Sequence, residues 1–353
     1  IPAITEVKFS IASQRGCYGG CNFCSLAYHQ GRIVTSRSEK SILEEAHKII
    51  NDPDFKGYIH DVGGPTANFR FPACEKQLKS GACKNRQCLF PTPCKNMRVN
   101  HEEYLDILRK LRNLKGVKKV FVRSGIRFDY LLEDKDNTFF KELVKYHVSG
   151  QLKVAPEHCS NKVLHYMGKP KIEVFEKFKD MFYKFTKEAG KEQYLVPYLI
   201  SSHPGSTVDD AVELALFLRK NKITPEQVQD FYPTPGTVST AMYYTETDIF
   251  TGKPIHVAKS YKEKNFQRAM LQTFKAENRK IVSDYLRETG RNDLIPLVLG
   301  GGYTNNKGQG DKNDKNIGRK GSFSKDKGRG KGAKREPFKK GNKNRSGSRN
   351  RGR

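Results

Sequence analysis

The sequence has no apolar run long enough to cross a bilayer, and it does not open on a basic, apolar and small-residue leader. Neither a membrane span nor a secretory leader is expected, and the expected location is cytoplasmic. No internal repeat is visible, which sets aside solenoid and propeller architectures. Acidic side chains are scarce, with 38 Asp and Glu against 65 Lys and Arg and a formal net charge of +27. The shortage is uneven: residues 304–353 hold 18 basic against 4 acidic side chains and almost nothing apolar. Such a segment cannot bury enough surface to offset its ordering entropy, so a disordered tail is expected there. Residues 1–303 keep an excess of only 13 positive charges, ordinary for a folded unit, and are expected to form it. The chain begins "IPAITEVKFS", without Met, and is expected to be a fragment whose N-terminal portion is missing here.

What is present is an alternation. Short β-like runs ("VKFSIAS", "GYIHDVG", "KKVFVRSG", "QLKVAPEH", "YLVPYLISS", "VQDFYPTP") are separated by helical patterns. From Ser38 onward, Ile42, Ala46, Ile49 and Ile50 recur at helical spacing, and Thr207 with Asp210 forms a capping box. Six βα units predict parallel strands with helical crossovers, and a partial or full (β/α) TIM-like barrel suits them better than a flat sheet. In such a barrel the working residues lie on the loops after the strands. Those loops here are rich in Gly, Cys, His and charge.

Eight cysteines in a reducing compartment read as metal ligands or redox groups rather than a disulfide frame. Cys17, Cys21 and Cys24 form C-x3-C-x2-C after the first predicted strand. Three thiolates from one loop can hold three irons of a 4Fe-4S cubane and leave the fourth iron open to a small molecule. A structural zinc would instead be closed by four ligands, the fourth here a distant His or Cys.

The spacing, with Phe23 before the last cysteine and a βα architecture behind it, resembles the radical S-adenosylmethionine (SAM) enzymes. The resemblance implies that the open iron is chelated by SAM, whose reductive cleavage gives a 5′-deoxyadenosyl radical that abstracts hydrogen from an unknown substrate. It also implies an electron donor such as flavodoxin or ferredoxin. The family's Gly-Gly-Glu-like turn, which meets the methionine amino group of SAM, is matched by Gly63 and Gly64, with Pro65 in the acidic position. "VAPEHCSNKVLHYMGK" is similar to the "GxESGSxxVLxxMxR" segment of the methylthiotransferase-like branch. That similarity gives Glu157 a cofactor contact, makes Val163, Leu164 and Met167 hydrophobic anchors, and puts Lys169 in the Arg position. "LISSHPGST" is similar to the branch's "GxPGET" turn through Pro204, Gly205 and Thr207, although Thr207 is equally explained as a helix cap. Taken together, "ASQRGCYGGCNFCSLAYHQGR", "DVGGPTANF", "VAPEHCS" and "YPTPGT" resemble the YgiQ family over residues 1 to about 300.

Further candidates stand on residue chemistry. Ser124 and Arg127, after the third strand, occupy the place where related enzymes contact adenosine or substrate; for Arg127, pairing with Asp129 is the structural alternative. His60, Asp61 and His203 lie at strand ends, but a lone His is more often a satisfied hydrogen-bonder, and no catalytic residue is assigned. Cys74, Cys83, Cys88 and Cys94, within an insertion at about 72–98, are spaced x8, x4 and x5. This matches neither a zinc ribbon nor a ferredoxin run, so a second Fe-S cluster, a zinc or free thiols remain open. Cys159 reads as a small buried side chain. The basic tail reads either as an electrostatic binder of nucleic acid and other polyanions or as a solubilising extension; Phe323 and Phe338 alone would contribute little stacking. A non-enzymatic zinc- and nucleic-acid-binding protein is therefore the alternative to the radical enzyme.

Overall fold

The computed structural model of the protein describes residues 2–300; the tail expected to be disordered, with Phe323 and Phe338, lies outside the described residues. The strands are β1 (Ser10–Ala12), β2 (Gln14–Arg15), β3 (Thr35–Ser36), β4 (Tyr58–Ile59), β5 (Asp61–Gly63), β6 (Lys119–Val120), β7 (Gln151–Glu157), β8 (Tyr194–Ser201) and β9 (Gln229–Asp230). β4 and β5 are halves of one extended run. β5 pairs in parallel with β1, and β4 pairs in parallel with β6, so the run is flanked on both sides. A second parallel set has the order β7-β8-β9. Each of the six runs read from the sequence thus contributes to a parallel ladder. Among the described residues no ladder joins β6 to β7. Instead the Val122 amide donates to His147 O at 3.0 Å, and His147 Nδ1 lies 2.8 Å from Val120 O, so a π-helical turn (Leu143–His147) abuts β6.

Helices link the parallel strands and cover them. Helix Glu39–Ile50 starts where Ser38 accepts from the Ser41 amide, and it buries Ile42 and Ala46. Helix Glu102–Asn113 buries Tyr104, Leu105, Ile107, Leu108 and Leu111 on one face. Helix Ile172–Glu188 contributes Phe175, Phe178, Phe182 and Phe185, and the Phe140 and Phe178 rings stack with centroids 5.2 Å apart. Each such ring removed from water contributes about 1.5–3 kcal/mol. Helix Val208–Lys220 begins with the expected capping box, Thr207 and Asp210 each satisfying the other's backbone. Three C-terminal helices (Tyr261–Met270, Ala276–Glu288, Leu294–Leu299) share a core with this helix, in which Phe266 stacks on Tyr285 at 4.3 Å. Among the described residues no helix is long and apolar enough to cross a membrane.

The antiparallel pair β2·β3, with Gln14 opposite Ser36 and Arg15 opposite Thr35, has no counterpart in the sequence reading. Its effect is local. It clamps the two ends of the segment that carries Cys17, Cys21 and Cys24.

Candidate metal centre and cofactor site

The cysteine loop leaves β2 at Gly16, whose φ of 85° favours glycine and whose Cβ position lies 2.2 Å from Ile33 O. The loop is then pinned: the Cys17 amide donates to Gly31 O at 3.0 Å, and the Cys24 amide donates to Cys21 O at 3.1 Å. All three thiols are half-buried. Cys17 Sγ lies 3.6 Å from Thr66 Oγ1, and Arg127 Nη1 donates to Cys21 Sγ at 3.1 Å. Burial pushes the Cys24 thiol up to about 11, a backbone hydrogen bond opposes the shift, and the neighbouring Cys21 and Cys17 add to it.

Arg127 makes the pair with Asp129 that was the structural alternative, and adds a contact to a cysteine that the sequence reading did not foresee. Its Nε and Nη2 reach the two carboxylate oxygens of Asp129 at 2.7 Å each, while its Nη1 takes Cys21. Burial alone would push the Asp129 carboxyl up, but the guanidinium holds it below its usual range. Asn68 fixes the Arg127 backbone from both sides, accepting from its amide at 2.9 Å and donating to its carbonyl at 3.2 Å. The approach of Arg127 also explains Gly19, since a Cβ there would sit 2.5 Å from Arg127 Nη1.

The other predicted cofactor residues surround the strand ends. Gly63 and Gly64 are packed too closely for a side chain: Cβ positions there meet Ser124 Oγ at 2.3 Å and Gln14 O at 2.8 Å. Ser124 is bound to Asp61, its amide donating to Oδ1 at 3.0 Å and its hydroxyl to Oδ2. Glu157 ends β7, buried, with φ 71°. A left-handed conformation costs a residue with a side chain about 1–2 kcal/mol, and strain of this kind concentrates at functional positions. Burial holds the Glu157 carboxyl above its ordinary range against the pull of Lys169 and Arg127. Lys169 is itself buried, with Nζ 5.6 Å from the Phe128 centroid.

His203 is a satisfied structural histidine, with Nδ1 2.8 Å from Pro204 O and Nε2 2.7 Å from Ser239 Oγ; burial lowers it to about 3. His60 lies against Phe9, its Nδ1 3.3 Å from Glu6 O. Cys159 is buried among Leu199, Leu214, Leu218 and Leu271, and burial pushes its thiol up.

In the insertion, helix Glu75–Ser80 begins after Cys74 at its N-cap, and the Cys94 amide donates to Cys88 O at 2.8 Å. Burial pushes the Cys88 thiol up to about 11; Arg32 opposes the rise, and Cys74, Cys94 and Cys83 reinforce it. Tyr18, stacked on Phe69 at 3.8 Å, belongs to a small core against which both Cys17 and Cys88 pack, so the two cysteine groups share a wall.

Among the described residues no three His, Cys, Asp or Glu side chains are gathered so as to hold a single metal ion. Zinc needs all its sulfurs about 2.3 Å from one point. The thiolates around a cubane each take a different iron and do not converge in this way. The first loop fits the cluster on its donor set: three half-buried thiols on one short loop, with Arg127 Nη1 donating to the sulfur of Cys21.

Asn22, between Cys21 and Cys24, was not singled out from the sequence. Its amide donates to Met167 O at 2.9 Å and its Nδ2 to Tyr166 O at 2.8 Å, its Oδ1 accepts from Gln87 Nε2 at 2.9 Å, and its carbonyl accepts from the Ser239 amide at 2.9 Å. One residue thus ties the loop to helix Asn161–Met167, the insertion and helix Val238–Thr245. A polar side chain inside C-x2-C was the available signal, but its partners are remote in sequence.

Residues 11–218 match the family model of the Radical SAM superfamily, and residues 226–352 match a domain of unknown function, DUF3362. The chain belongs to the radical SAM superfamily. A UPF0313 protein of Clostridium perfringens strain SM101 is 59% identical over 295 residues, 84% of this chain and 45% of that protein. Another, from Clostridium perfringens strain 13, is 55% identical over 338 residues, 92% of this chain and 51% of its own, and one from Clostridium botulinum strain Loch Maree is 58% identical over 84% of this chain and 46% of its own. These UPF0313 relatives bear out the YgiQ-family resemblance. The chain spans about half the length of these curated relatives. A solved structure of the radical SAM methyltransferase TsrM from Kitasatospora setae, with tryptophan and a SAM analogue bound, aligns at TM-score 0.41 and 13% identity over 67% of this chain and 38% of its own. Superfamily membership implies a 4Fe-4S cluster and SAM. The alternative of a non-enzymatic nucleic-acid-binding protein gains no support from these matches.

Proposed function

We propose that the protein is a radical SAM enzyme in which Cys17, Cys21 and Cys24 hold the 4Fe-4S cluster and Gly63, Gly64, Ser124, Arg127 and Glu157 form the SAM side of the site. The observation that carries the reading is the C-x3-C-x2-C loop, anchored beyond β1, with Arg127 donating to Cys21 Sγ. A cluster held by Cys17, Cys21 and Cys24 would, when reduced, supply the electron for cleavage of SAM and with it the chemistry of hydrogen abstraction. The chain's own residues prepare the place. Arg127, fixed by Asp129 and Asn68, presents a permanent positive charge to a ligating sulfur and favours the reduced state. Gly63 and Gly64 leave backbone accessible at the end of β5. Glu157, strained and buried, offers a carboxylate balanced by Lys169 and Arg127. Tyr18 and Phe69 keep one side of the loop dry.

The six parallel strands, taken in chain order, support a partial (β/α) barrel, with residues 1–303 as the working unit. Four cysteines within one short insertion, with the Cys94 amide bonded to Cys88 O, support a second site holding an Fe-S cluster or zinc, and the reductant is a flavodoxin or ferredoxin. Anaerobic purification with iron, sulfide and zinc analysis, then dithionite and SAM, tests the reading. Release of 5′-deoxyadenosine with about four irons per chain is expected, or about eight if the insertion also holds a cluster. Zinc without iron, and no cleavage after reconstitution, would overturn it.

A further inference from the structure

A cavity of about 830 Å³ opens between the cysteine loop, the Cys-rich insertion and the segment that matches the domain of unknown function. Cys21, Asn22 and Cys24 line it together with Lys84 to Gln87, Gly236 to Val238 and Phe250. Gly63, Gly64, Ser124, Arg127 and Glu157 do not line it, and it meets the SAM side proposed above at Cys21, whose sulfur accepts from Arg127.

Its chemistry is one-sided. Arg32, Lys84 and Arg86 line it, and no Asp or Glu does. The Arg32 guanidinium is held in place by donating to Cys83 O and Arg86 O, both at 2.8 Å, and Arg86 Nη2 reaches Thr92 O at 3.3 Å. Among the described residues these three cations have carbonyl partners or none, and no carboxylate neutralises them. Planar surface stands beside the charge. Tyr28 is 70% exposed and Phe250 68% exposed, and Phe90 meets His165 at 5.2 Å. The Tyr28 ring is backed by Gly236, where a Cβ would come within 3.1 Å of it. Uncompensated cations call for an anion, exposed rings call for a flat partner, and the volume exceeds what one such molecule needs.

We propose that this cavity is the substrate pocket, that the substrate pairs an anionic group with a planar ring in the manner of a nucleotide, and that the C-terminal segment serves as its outer wall. The proposal rests on the radical SAM reading. In calorimetry on the reconstituted chain at saturating SAM, uridine or guanosine monophosphate is expected to bind at least tenfold more tightly than the parent nucleoside. Lys84→Glu with Arg86→Glu should weaken the nucleotide at least tenfold while iron content, the check on folding, is retained. Phe250→Ala should weaken nucleotide and nucleoside by the same several-fold factor. Equal affinity for nucleotide and nucleoside, no binding of either, no effect of charge reversal, or capture only of an acidic protein such as ferredoxin would each overturn the proposal. Cleavage of SAM by the unaltered chain is scored separately, so failure of the radical reading shows as absent 5′-deoxyadenosine and failure of the pocket shows as altered binding alone.

Discussion

The two cysteine groups lie against a common wall of Tyr18 and Phe69, yet they are built differently. The loop of Cys17, Cys21 and Cys24 is braced from many directions: by the β2·β3 clamp, by Arg127 on a sulfur, and by the four bonds of Asn22 to three separate elements. The insertion that carries Cys74, Cys83, Cys88 and Cys94 has one six-residue helix, and most of its own hydrogen bonds are local. A preorganised ligand set spends little on ordering when it binds its group, whereas the insertion, which buries only Ala73 and Leu89 in the small core beside Tyr18, gains more of its order from the group. The more heavily braced loop therefore suits the proposed reactive centre, and the more locally bonded insertion suits a structural or auxiliary metal.

The sharpest way to break the comparison is Cys21→Ala. It should abolish 5′-deoxyadenosine formation and remove about four irons, leaving any metal of the insertion in place by elemental analysis. Simultaneous loss of both metals would mean one shared site. Next in size is Arg127→Ala, which leaves Asp129 buried and unpaired and should cost about 3–5 kcal/mol in denaturant unfolding. Replacing both partners with Leu should recover most of that stability, because a buried ion pair is often no better than apolar packing. The double variant should nonetheless keep a more negative cluster potential, since a donor to a ligating sulfur has gone. If the potential is unchanged, Arg127 is structural only.

How much of this was legible follows from how far each interaction reaches along the chain. The six parallel runs, the Ser38 and Thr207 caps and the cysteine loop are local patterns, and each could be read from a few adjacent residues. Arg127 with Asp129 was also readable, being two residues apart. What could not be read depends on contacts between distant segments. The reason for Gly63 and Gly64 is partly that Ser124 and Gln14 fill the space of a side chain. Asn22 meets Tyr166 and Gln87 across separations of 144 and 65 residues. The cavity over the cysteine loop needed four segments brought together, from residues 20–32, 84–91 and 236–250 and from His165.

Smaller changes sharpen the contrast. Cys88→Ser removes the thiol that its three neighbours influence most visibly, and it should lower zinc or iron by the complement of the insertion alone. Limited proteolysis should then cut within 72–98 faster than in the unaltered chain, while the spectrum of the first cluster persists. Asn22→Ala removes one donor and one acceptor at the reactive loop, leaves Tyr166 O without that partner, and should cost about 1–3 kcal/mol. Its clearest readout is faster loss of iron to a chelator, with the insertion's metal unaffected.

Gln87→Ala is the finest test, because Gln87 belongs to the insertion and touches the reactive loop. Its Nε2 donates to Asn22 Oδ1 at 2.9 Å, a bond worth about 0.5–1.5 kcal/mol net, while its Oε1 is buried without a partner. Truncation loses the first and relieves the second, so the two nearly cancel and unfolding should shift by less than about 1 kcal/mol. Chelator release of iron from the Cys17, Cys21 and Cys24 loop should still quicken, though less than in Asn22→Ala, because Asn22 keeps its bond to Tyr166 O. An iron-release rate identical to that of the unaltered chain would mean that the insertion lends the loop no rigidity. The two cysteine groups would then be neighbours in space and independent in mechanics.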